Sequence, residues 1–368
     1  MSPLILMALL WQAPKAASPP QAFPQISAQA NQAREANQLD QAVRLYGQAL
    51  QLNPRWTEGW WWLGTLHYDK DQYPQCRDAF RHFVGLDPKS PPGHAMLGLC
   101  EFQTKDFGAA LTHLERAWSL GLPIDQQLTS VSLYHIVLLQ TRAGNFERAL
   151  QICRLLVRKD PNEAKVIAAA GIAALRRPIF PQELPVDDRD LAMKLGAAAL
   201  GLGDRPIEES YRLFEELIAS YPNTPNIHYS FALILLANEP DRGVAELKSE
   251  LQLNPDHLPA NASLAFEYLK RGDPQSALPY AERAAKIAPG NFAARNAYGR
   301  ALVELGNLGP GIKELETAVK LAPDSPQVHY SLGQAYAKAG RKEDAARERS
   351  EFARLKKLER TPENPEQK

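Results

Sequence analysis

The chain has 368 residues, and 42 lysines and arginines are balanced by 42 aspartates and glutamates, so its formal net charge at pH 7 is zero. This balance gives no electrostatic reason for a polyanionic partner, and we predict that the protein does not bind nucleic acid. Helix-favouring Ala, Leu, Glu, Gln and Arg dominate, whereas alternating β-branched stretches are scarce. Composition therefore predicts an all-α chain.

Residues 1–22 contain a short apolar run from Leu4 to Trp11, followed by a segment rich in Ala, Pro and Ser. The run is far shorter than the roughly 20 apolar residues that span a bilayer. It fits the core of a secretory signal peptide, although no Lys or Arg precedes Leu4. We expect a leader over 1–22 and export to the periplasm or the medium; the alternative is a cytoplasmic protein with a disordered tail. No other stretch predicts a transmembrane helix.

Helical patterns alternate with turns from residue 23 to residue 163, where the sequence predicts a first array of about four units. In the second unit, Trp60, the pair Leu63-Gly64, and Phe80 precede the closing Pro88. Proline lacks an amide hydrogen and cannot continue a helix, so it marks where each unit ends.

The regular spacing fails between residues 164 and 190, which we interpret as a degenerate helical unit. A helix is predicted over Ala164 to Arg177, and three prolines within 178–187 exclude a continuous helix there. Two further helices are predicted over Asp188 to Gly203 and over Pro206 to Tyr221, and we expect these two to pair with each other.

A second array is predicted over 191–360, where Pro255, Pro289 and Pro323 are spaced 34 residues apart. Each interval contains a helical pattern, a turn at Gly-Asp or Gly-Asn, and a second helical pattern. The last helix, Glu343 to Arg360, is charged on most faces and is expected to cover the exposed end of the array. Residues 361–368 are expected to be a disordered tail.

A repeat of 34 residues with Leu-Gly in the first helix, small residues at the helix crossing and a closing proline resembles the tetratricopeptide repeat (TPR) family. The resemblance implies a right-handed α-solenoid of stacked helix-turn-helix hairpins, with an irregular insertion near 178–187. It also implies a scaffold or adaptor that binds a protein or peptide segment, with no catalytic activity and no cofactor.

Catalytic and metal-binding patterns are absent from the sequence: it has no phosphate-binding glycine loop, no HExxH and no histidine pair at helical spacing. The three cysteines, Cys76, Cys100 and Cys153, form no CxxC pair. We predict that they are buried thiols acting as small apolar residues.

In repeats of this family the first helix of each unit lines the concave face, and the side chains at its inner positions are mostly aromatic or aliphatic here. The alternative is that curvature buries them against adjacent helices. Asn296 and Arg300, with Glu304, form a polar patch that either fixes a peptide carboxylate or is simply solvated. The predicted groove residues are Trp61, Tyr68, Leu99, Phe102, Tyr134, Leu138, Tyr229, Leu233, Phe266, Leu269, Asn296, Arg300 and Tyr330.

Two other functions stay open at this stage. The cluster of Trp56, Trp60, Trp61 and Trp62 is compatible with stacking on sugars, which favours a carbohydrate-binding protein. The chain is also compatible with a non-catalytic partner of an envelope or polysaccharide assembly enzyme.

Overall fold

The computed structural model describes residues 19–122, 127–201 and 206–359. These residues form nineteen α-helices and no strand, which confirms the predicted all-α fold. The predicted tail at 361–368 and nearly all of the predicted leader lie outside the described residues; only residues 19–22 of the leader are described, and they open the first helix.

Most helices are 11 to 18 residues long and follow one another through short turns. In chain order they are α1 (Pro19–Glu35), α2 (Leu39–Leu52), α3 (Thr57–Asp69), α4 (Tyr73–Leu86), α5 (Pro91–Gln103), α6 (Phe107–Ser119), α7 (Gln127–Arg142), α8 (Phe146–Val157), α9 (Ala164–Ala174), α10 (Arg189–Leu200), α11 (Ile207–Ser220), α12 (Ile227–Asn238), α13 (Pro240–Leu253), α14 (Leu258–Lys270), α15 (Pro274–Ile287), α16 (Phe292–Glu304), α17 (Leu308–Leu321), α18 (Pro326–Lys338) and α19 (Lys342–Glu359).

The helices belong to two compact units, residues 1–135 and 136–368, and the boundary lies within α7. In the first unit α1 packs on α2, α3 on α4 and α5 on α6; in the second unit the regular hairpins run from α12–α13 to α18–α19. This stacking of hairpins is that of a TPR solenoid. The boundary precedes the irregular segment, and the domain limits drawn from the sequence stay a prediction.

The turn inside most hairpins contains one residue with left-handed backbone geometry, although the turn between α12 and α13 does not. In the second unit the residue is Gly272, Gly306 or Gly340, each 34 positions after the last, as the sequence predicted. In the first unit the same 34-residue spacing places Asn37, Asp71 and Lys105 in this conformation. Residues other than glycine are disfavoured in the left-handed conformation. The 34-residue spacing therefore indicates these three turns, although their residue types alone do not.

Neighbouring hairpins are joined by a side-chain hydrogen bond that recurs along the chain. A nitrogen in the first turn of the first helix donates to the carbonyl oxygen of the proline six residues earlier, which closes the preceding hairpin, at 2.8–3.0 Å. The donors are Trp60, His94, Asn261, Arg295 and His329, and the acceptors are Pro54, Pro88, Pro255, Pro289 and Pro323.

The irregular segment differs from the prediction in how its helices pair. No continuous helix crosses 178–187, as predicted; two 3₁₀ turns, Pro181–Glu183 and Val186–Asp188, lie there. However, α10 forms its closest crossing with α9 rather than with α11. A Cβ on Gly171 would overlap the Ala192 carbonyl oxygen, and one on Gly196 would overlap the Ile167 carbonyl oxygen. Two facing glycines let the backbones of α9 and α10 touch, so these two helices form one hairpin. The insertion is the long connection between them.

Buried polar groups hold the start of α12 in the second unit. Asn226 has a φ of 76°, and its backbone amide donates to both Glu250 carboxylate oxygens at 2.9 and 2.8 Å. The Asn226 side chain accepts from Nε2 of His257 at 2.8 Å, while Nδ1 of His257 accepts from the Ala260 amide at 3.0 Å. His257 is therefore neutral, with its hydrogen on Nε2, and burial raises the pKa of Glu250.

One part of the cysteine prediction is wrong. All three cysteines are buried, as predicted, but Cys76 on α4 and Cys100 on α5 form a disulfide, with their Cα atoms 6.0 Å apart. The two residues belong to successive hairpins, and only the packing of α4 on α5 brings them together. Cys153 remains a free thiol, and burial raises its pKa to about 12.

We predict that the Cys76–Cys100 disulfide stabilises the first unit. The two cysteines are 24 residues apart, and closing such a loop restricts the unfolded chain by about 3 kcal/mol. Reduction should lower the melting temperature, and protein unfolded without reductant should titrate one thiol, against three after reduction. Three thiols without reductant would contradict the bond.

We predict that Gly171→Ala destabilises the α9–α10 hairpin by about 1–3 kcal/mol, because the new methyl group overlaps backbone that cannot move independently. Gly309→Ala in α17 is the matched control, since nothing lies within 4 Å of its Cβ position. That control should be neutral or slightly stabilising. Urea unfolding monitored by circular dichroism measures both, and equal midpoints would show that the close crossing has no energetic importance.

We predict that stability falls as the pH is lowered from 6.5 to 4, through His257. Burial, and then the charge of Arg176, lower the pKa of His257 from 6.5 to about 4. The unfolded chain therefore binds the extra proton in this window, which removes up to about 3 kcal/mol of unfolding free energy. Urea midpoints measured at several pH values test this.

His257→Asn keeps an acceptor for the Ala260 amide and should flatten the pH dependence between 6.5 and 4. His82→Asn, at an exposed position on α4, is the control for removing a histidine elsewhere in the chain. Equal slopes in the wild type and in His257→Asn would refute the assignment.

Candidate functional site

Five predicted groove residues lie in the first unit, and four of them, all except Leu99, are partly exposed. Trp61 is on α3 and contacts the rings of Phe80 and Phe83 at 5.5 and 5.4 Å between centroids. Tyr68, on the same helix, contacts Tyr73, and burial raises its pKa. These side chains are fixed by ring contacts on one side and present their other side to solvent.

The other two, Phe102 on α5 and Tyr134 on α7, both contact the His135 ring, at 4.6 and 6.0 Å between centroids. The first unit therefore brings these two predicted residues to one place through a histidine that the sequence analysis did not single out. Trp61 and Tyr68, two turns apart on α3, pack against one and the same core cluster.

The tryptophan cluster is engaged inside the protein. Trp60 stacks on His82 at 4.3 Å, and Trp62 carries the Arg34 guanidinium 3.7 Å above its ring. Trp56 stacks on Tyr46 at 5.6 Å, and Trp61 contacts two phenylalanines as described. Each ring already contacts another side chain of the protein, which leaves less surface for stacking on a sugar.

Three predicted leucines are buried. Leu99, Leu138 and Leu269 are 3%, 5% and 8% exposed, so they offer almost no surface to a ligand in this structure. The alternative weighed from the sequence, burial against adjacent helices, describes them: Leu269 packs with Ala265, Ala301 and their neighbours in the core of its hairpins.

Tyr229 is also buried, at 5% exposure, and belongs to a polar cluster instead of an open face. Its hydroxyl donates to Glu147 at 3.3 Å, and the Arg176 guanidinium lies 5.5 Å from its ring centroid and pairs with the same carboxylate. Burial, then the charge of Glu147, raise the pKa of Tyr229. This cluster links α8, the turn after α9 and α12, and it is a structural feature of the irregular region.

Large apolar side chains remain open on the first helices of the second unit. Leu233 on α12 is 38% exposed, and Tyr330 on α18 is 47% exposed. Phe266 on α14 is partly buried against the core. The Tyr330 ring leans on Phe352 of α19, with 5.4 Å between centroids, so the terminal helix orients it.

A pocket with a cavity volume of about 250 Å³ lies between α16 and α18, on the first helices of two successive hairpins. Arg300 and Tyr330, both predicted from the sequence, lie in its wall with Glu304. Burial lowers the pKa of Arg300, and among the described residues this guanidinium has no ion pair. The lining residues are Arg300, Val303, Glu304, Leu315, Tyr330, Ser331, Gln334, Ala335 and Lys338.

Six of the nine lining residues were not singled out from the sequence. Two of them, Gln334 and Lys338, lie one 34-residue period after Arg300 and Glu304, so the repeat spacing was the available signal for these two. Lys338 pairs with Glu304 at 2.5 Å, and this ion pair bridges α16 and α18 across the pocket.

Asn296, the remaining predicted residue, lies one helical turn before Arg300 and is only 2% exposed. Its Oδ1 is buried and has no hydrogen-bond partner among the described residues. The predicted polar patch thus has one interior member, Asn296, and two members in the pocket wall, Arg300 and Glu304.

No helix of the described ranges is long and apolar enough to cross a membrane. In the same part of the chain, no group of three or more His, Cys, Asp or Glu side chains is arranged to hold a metal ion.

Comparison with known proteins gives matches to repeat proteins. An inactive TPR repeat-containing thioredoxin, TTL3, of Arabidopsis thaliana is 34% identical over 94 residues, or 26% of this chain. The general transcriptional corepressor ssn6 of Schizosaccharomyces pombe is 28% identical over 128 residues, or 34% of this chain. These alignments cover only 13% and 11% of the relatives' own lengths.

Solved structures give matches of the same kind. MamA from Desulfovibrio magneticus RS-1, residues 41 to the end, is 29% identical and covers 42% of this chain and 86% of its own, with a TM-score of 0.36. Yeast Tom70 is 13% identical and covers 93% of each chain, with a TM-score of 0.33.

Two segments match family models directly. Residues 27–91 and residues 268–330 each match a model described as a tetratricopeptide repeat. Both segments lie where the 34-residue spacing, the hairpin packing and the left-handed turns are regular. The chain is therefore a tetratricopeptide repeat protein.

Proposed function

We propose that this protein is a non-catalytic scaffold or adaptor that binds a segment of another protein along the first helices of its hairpins. The observation that carries this proposal is that Leu233 and Tyr330 are 38% and 47% exposed. Both are large apolar side chains on helices whose other apolar side chains are mostly buried in the hairpin cores. Aromatic and aliphatic side chains held in place by neighbours give contact area at low entropic cost.

The proposed contact surface excludes the buried leucines and Tyr229. It retains the side chains that are at least partly exposed, separately in each unit. In the first unit these are Trp61, Tyr68, Phe102 and Tyr134, and in the second unit Leu233, Phe266, Arg300 and Tyr330. A protein ligand is what the tetratricopeptide repeat family favours. The contacts of the four tryptophans with other side chains weigh against a carbohydrate ligand.

We further propose that the protein works outside the cytoplasm, in the periplasm or the medium. The apolar run near the N-terminus motivates this location, and the Cys76–Cys100 disulfide supports it, because structural disulfides persist mainly in oxidising compartments.

We predict that Leu233→Ala together with Tyr330→Ala weakens capture of the protein partner at least about fivefold, because truncating even one side chain that anchors an interface costs about 1 kcal/mol or more. The measurement is affinity capture of the full-length chain from the cells that make it, with quantitative mass spectrometry of the bound proteins.

The matched control is Leu52→Ala together with Leu321→Ala, which removes similarly exposed leucines, 45% and 42%, from the second helices α2 and α17. This control should keep the bound proteins at the wild-type level. If both double variants lose the partner equally, or neither does, the assignment to the first helices is wrong. Circular dichroism verifies that each variant is folded.

A further inference from the structure

Arg295, in the first turn of α16, holds its hairpin through two hydrogen bonds. Its Nε donates to the Pro289 carbonyl oxygen at 2.9 Å, and its Nη1 donates to Glu314 of α17 at 2.6 Å. The first bond connects the hairpin to the preceding turn, and the second connects its two helices. An arginine stays charged at every pH at which a protein is folded, so both donors are always available.

His329 occupies the same place one 34-residue period later, in the first turn of α18. Its Nε2 lies 2.8 Å from the Pro323 carbonyl oxygen, and its Nδ1 lies 2.6 Å from a carboxylate oxygen of Glu348 on α19. Both acceptors are satisfied only when both ring nitrogens carry a hydrogen, which is the imidazolium form. His329 therefore does the work of Arg295 only while it is protonated.

His94, at the same place in α5, shows what the glutamate contributes. Its Nε2 also lies 3.0 Å from a proline carbonyl oxygen, that of Pro88, but the residue nineteen positions later is His113 rather than a glutamate. The His94 Nδ1 is buried without a hydrogen-bond partner among the described residues, and burial lowers the pKa of this histidine. A neutral ring suffices at His94, whereas Glu348 requires a second hydrogen on His329.

The charged groups that interact with the His329 ring come from α19. Glu348 is the nearest, and Glu351, about one turn later, also interacts with the ring through its charge. Glu351 is itself paired with Arg354. Within the described residues, no ion pair joins the ring to α16 or α17. The His329 side chain is only 8% exposed, so water does not readily replace a lost bond to Glu348.

This ion pair lies where α19 is attached to α18 by few apolar side chains. Two side chains of α19, Ala345 and Leu355, are buried. Glu348 and Phe352 lie between these two on the same face of the helix. The Phe352 ring contacts Tyr330 at 5.4 Å between centroids. Loss of the ion pair therefore weakens the attachment of α19 and, through it, the orientation of Tyr330.

We propose that His329 makes partner binding depend on pH. At mildly acidic pH its imidazolium holds α19 against α18, and Phe352 keeps Tyr330 in the orientation that contacts the partner. As the pH rises through the range in which histidines titrate, between about 5 and 8, the ring releases one hydrogen to water and loses one of its two bonds. The stabilisation is thus present at lower pH and lost as the pH rises. The proposal rests on the scaffold function above, since Tyr330 belongs to the proposed contact surface.

Two substitutions keep this joint in one state each. His329→Arg copies the arginine found one period earlier and keeps both donors at every pH. His329→Asn copies Asn261, whose amide nitrogen donates to the Pro255 carbonyl oxygen at 3.0 Å. It therefore keeps the bond to the preceding turn and loses the charge that pairs with Glu348.

His228→Arg is the control, because His228 pairs with Glu246 in the hairpin α12–α13 at 2.6 Å, the same distance as in the His329 pair. It should leave the exchange of α19 at the wild-type rate. Circular dichroism at pH 6 verifies that every variant is folded.

Hydrogen exchange followed by mass spectrometry of the full-length chain measures the attachment of α19. Peptides from residues 342–359 have the same sequence in all variants, so their intrinsic exchange rates are equal at any one pH. At pH 6 the wild type should match His329→Arg. At pH 8 it should exchange about tenfold faster than His329→Arg and resemble His329→Asn, because one charge-assisted hydrogen bond is lost.

Partner capture at the same two pH values tests the consequence for binding. The proteins measured are those that Tyr330→Ala fails to retain. The amount captured by the wild type, divided by the amount captured by His329→Arg, should be near one at pH 6 and about fivefold lower at pH 8. Both proteins meet the same partner at each pH, so the ratio does not report the partner's own titration.

The outcomes separate this proposal from the scaffold function. If α19 exchanges equally in the wild type and in His329→Arg at pH 8, the pH sensor is wrong while the scaffold function stands. If α19 responds but the capture ratio stays constant, His329 does not regulate binding and the proposal is also wrong. If no form of the protein captures a partner at either pH, the scaffold function fails and its regulation fails with it.

Discussion

The close approach of paired helices is the constraint on which the rest of this structure depends. In three hairpins a glycine lies at the crossing, because a side chain there would overlap the partner helix: Gly98 faces the Ala110 carbonyl and Leu114, Gly299 faces the Gly311 carbonyl, and Gly171 faces the Ala192 carbonyl. Where the helices touch, the hairpin buries its apolar side chains between them, and each hairpin completes its core against the next.

This constraint explains why some first-helix residues are buried and others are open. A residue such as Leu99 or Leu269 points between helices, and the packing that follows from the crossing covers it. Leu233 and Tyr330 lie on the same class of helix but point away from the crossing. The Arg300 pocket arises in the same way, because its walls come from two first helices that are adjacent in the second unit.

The fold was predictable because proline, glycine and apolar spacing repeat with a period of 34 residues. The candidate site was less so. Spacing identified Arg300 and Tyr330, but it did not predict that Leu138 and Tyr229 are buried. Their burial depends on the packing of neighbouring helices, which the register of a single helix does not reveal. The pairing of α9 with α10 was missed because a connection of fourteen residues, 175–188, hides a hairpin from a search by period. The disulfide was missed because its cysteines belong to different repeats.

The bond from the first helix to the preceding proline carbonyl has one further consequence. Tryptophan, histidine, asparagine and arginine all serve as its donor, so the joint between repeats requires a hydrogen at the right place and tolerates different chemistry around it. Because donor and acceptor lie only six residues apart, duplicating or transplanting one hairpin together with its preceding proline would carry this hydrogen bond along. The apolar packing of its helices on the neighbouring hairpins would still have to be matched.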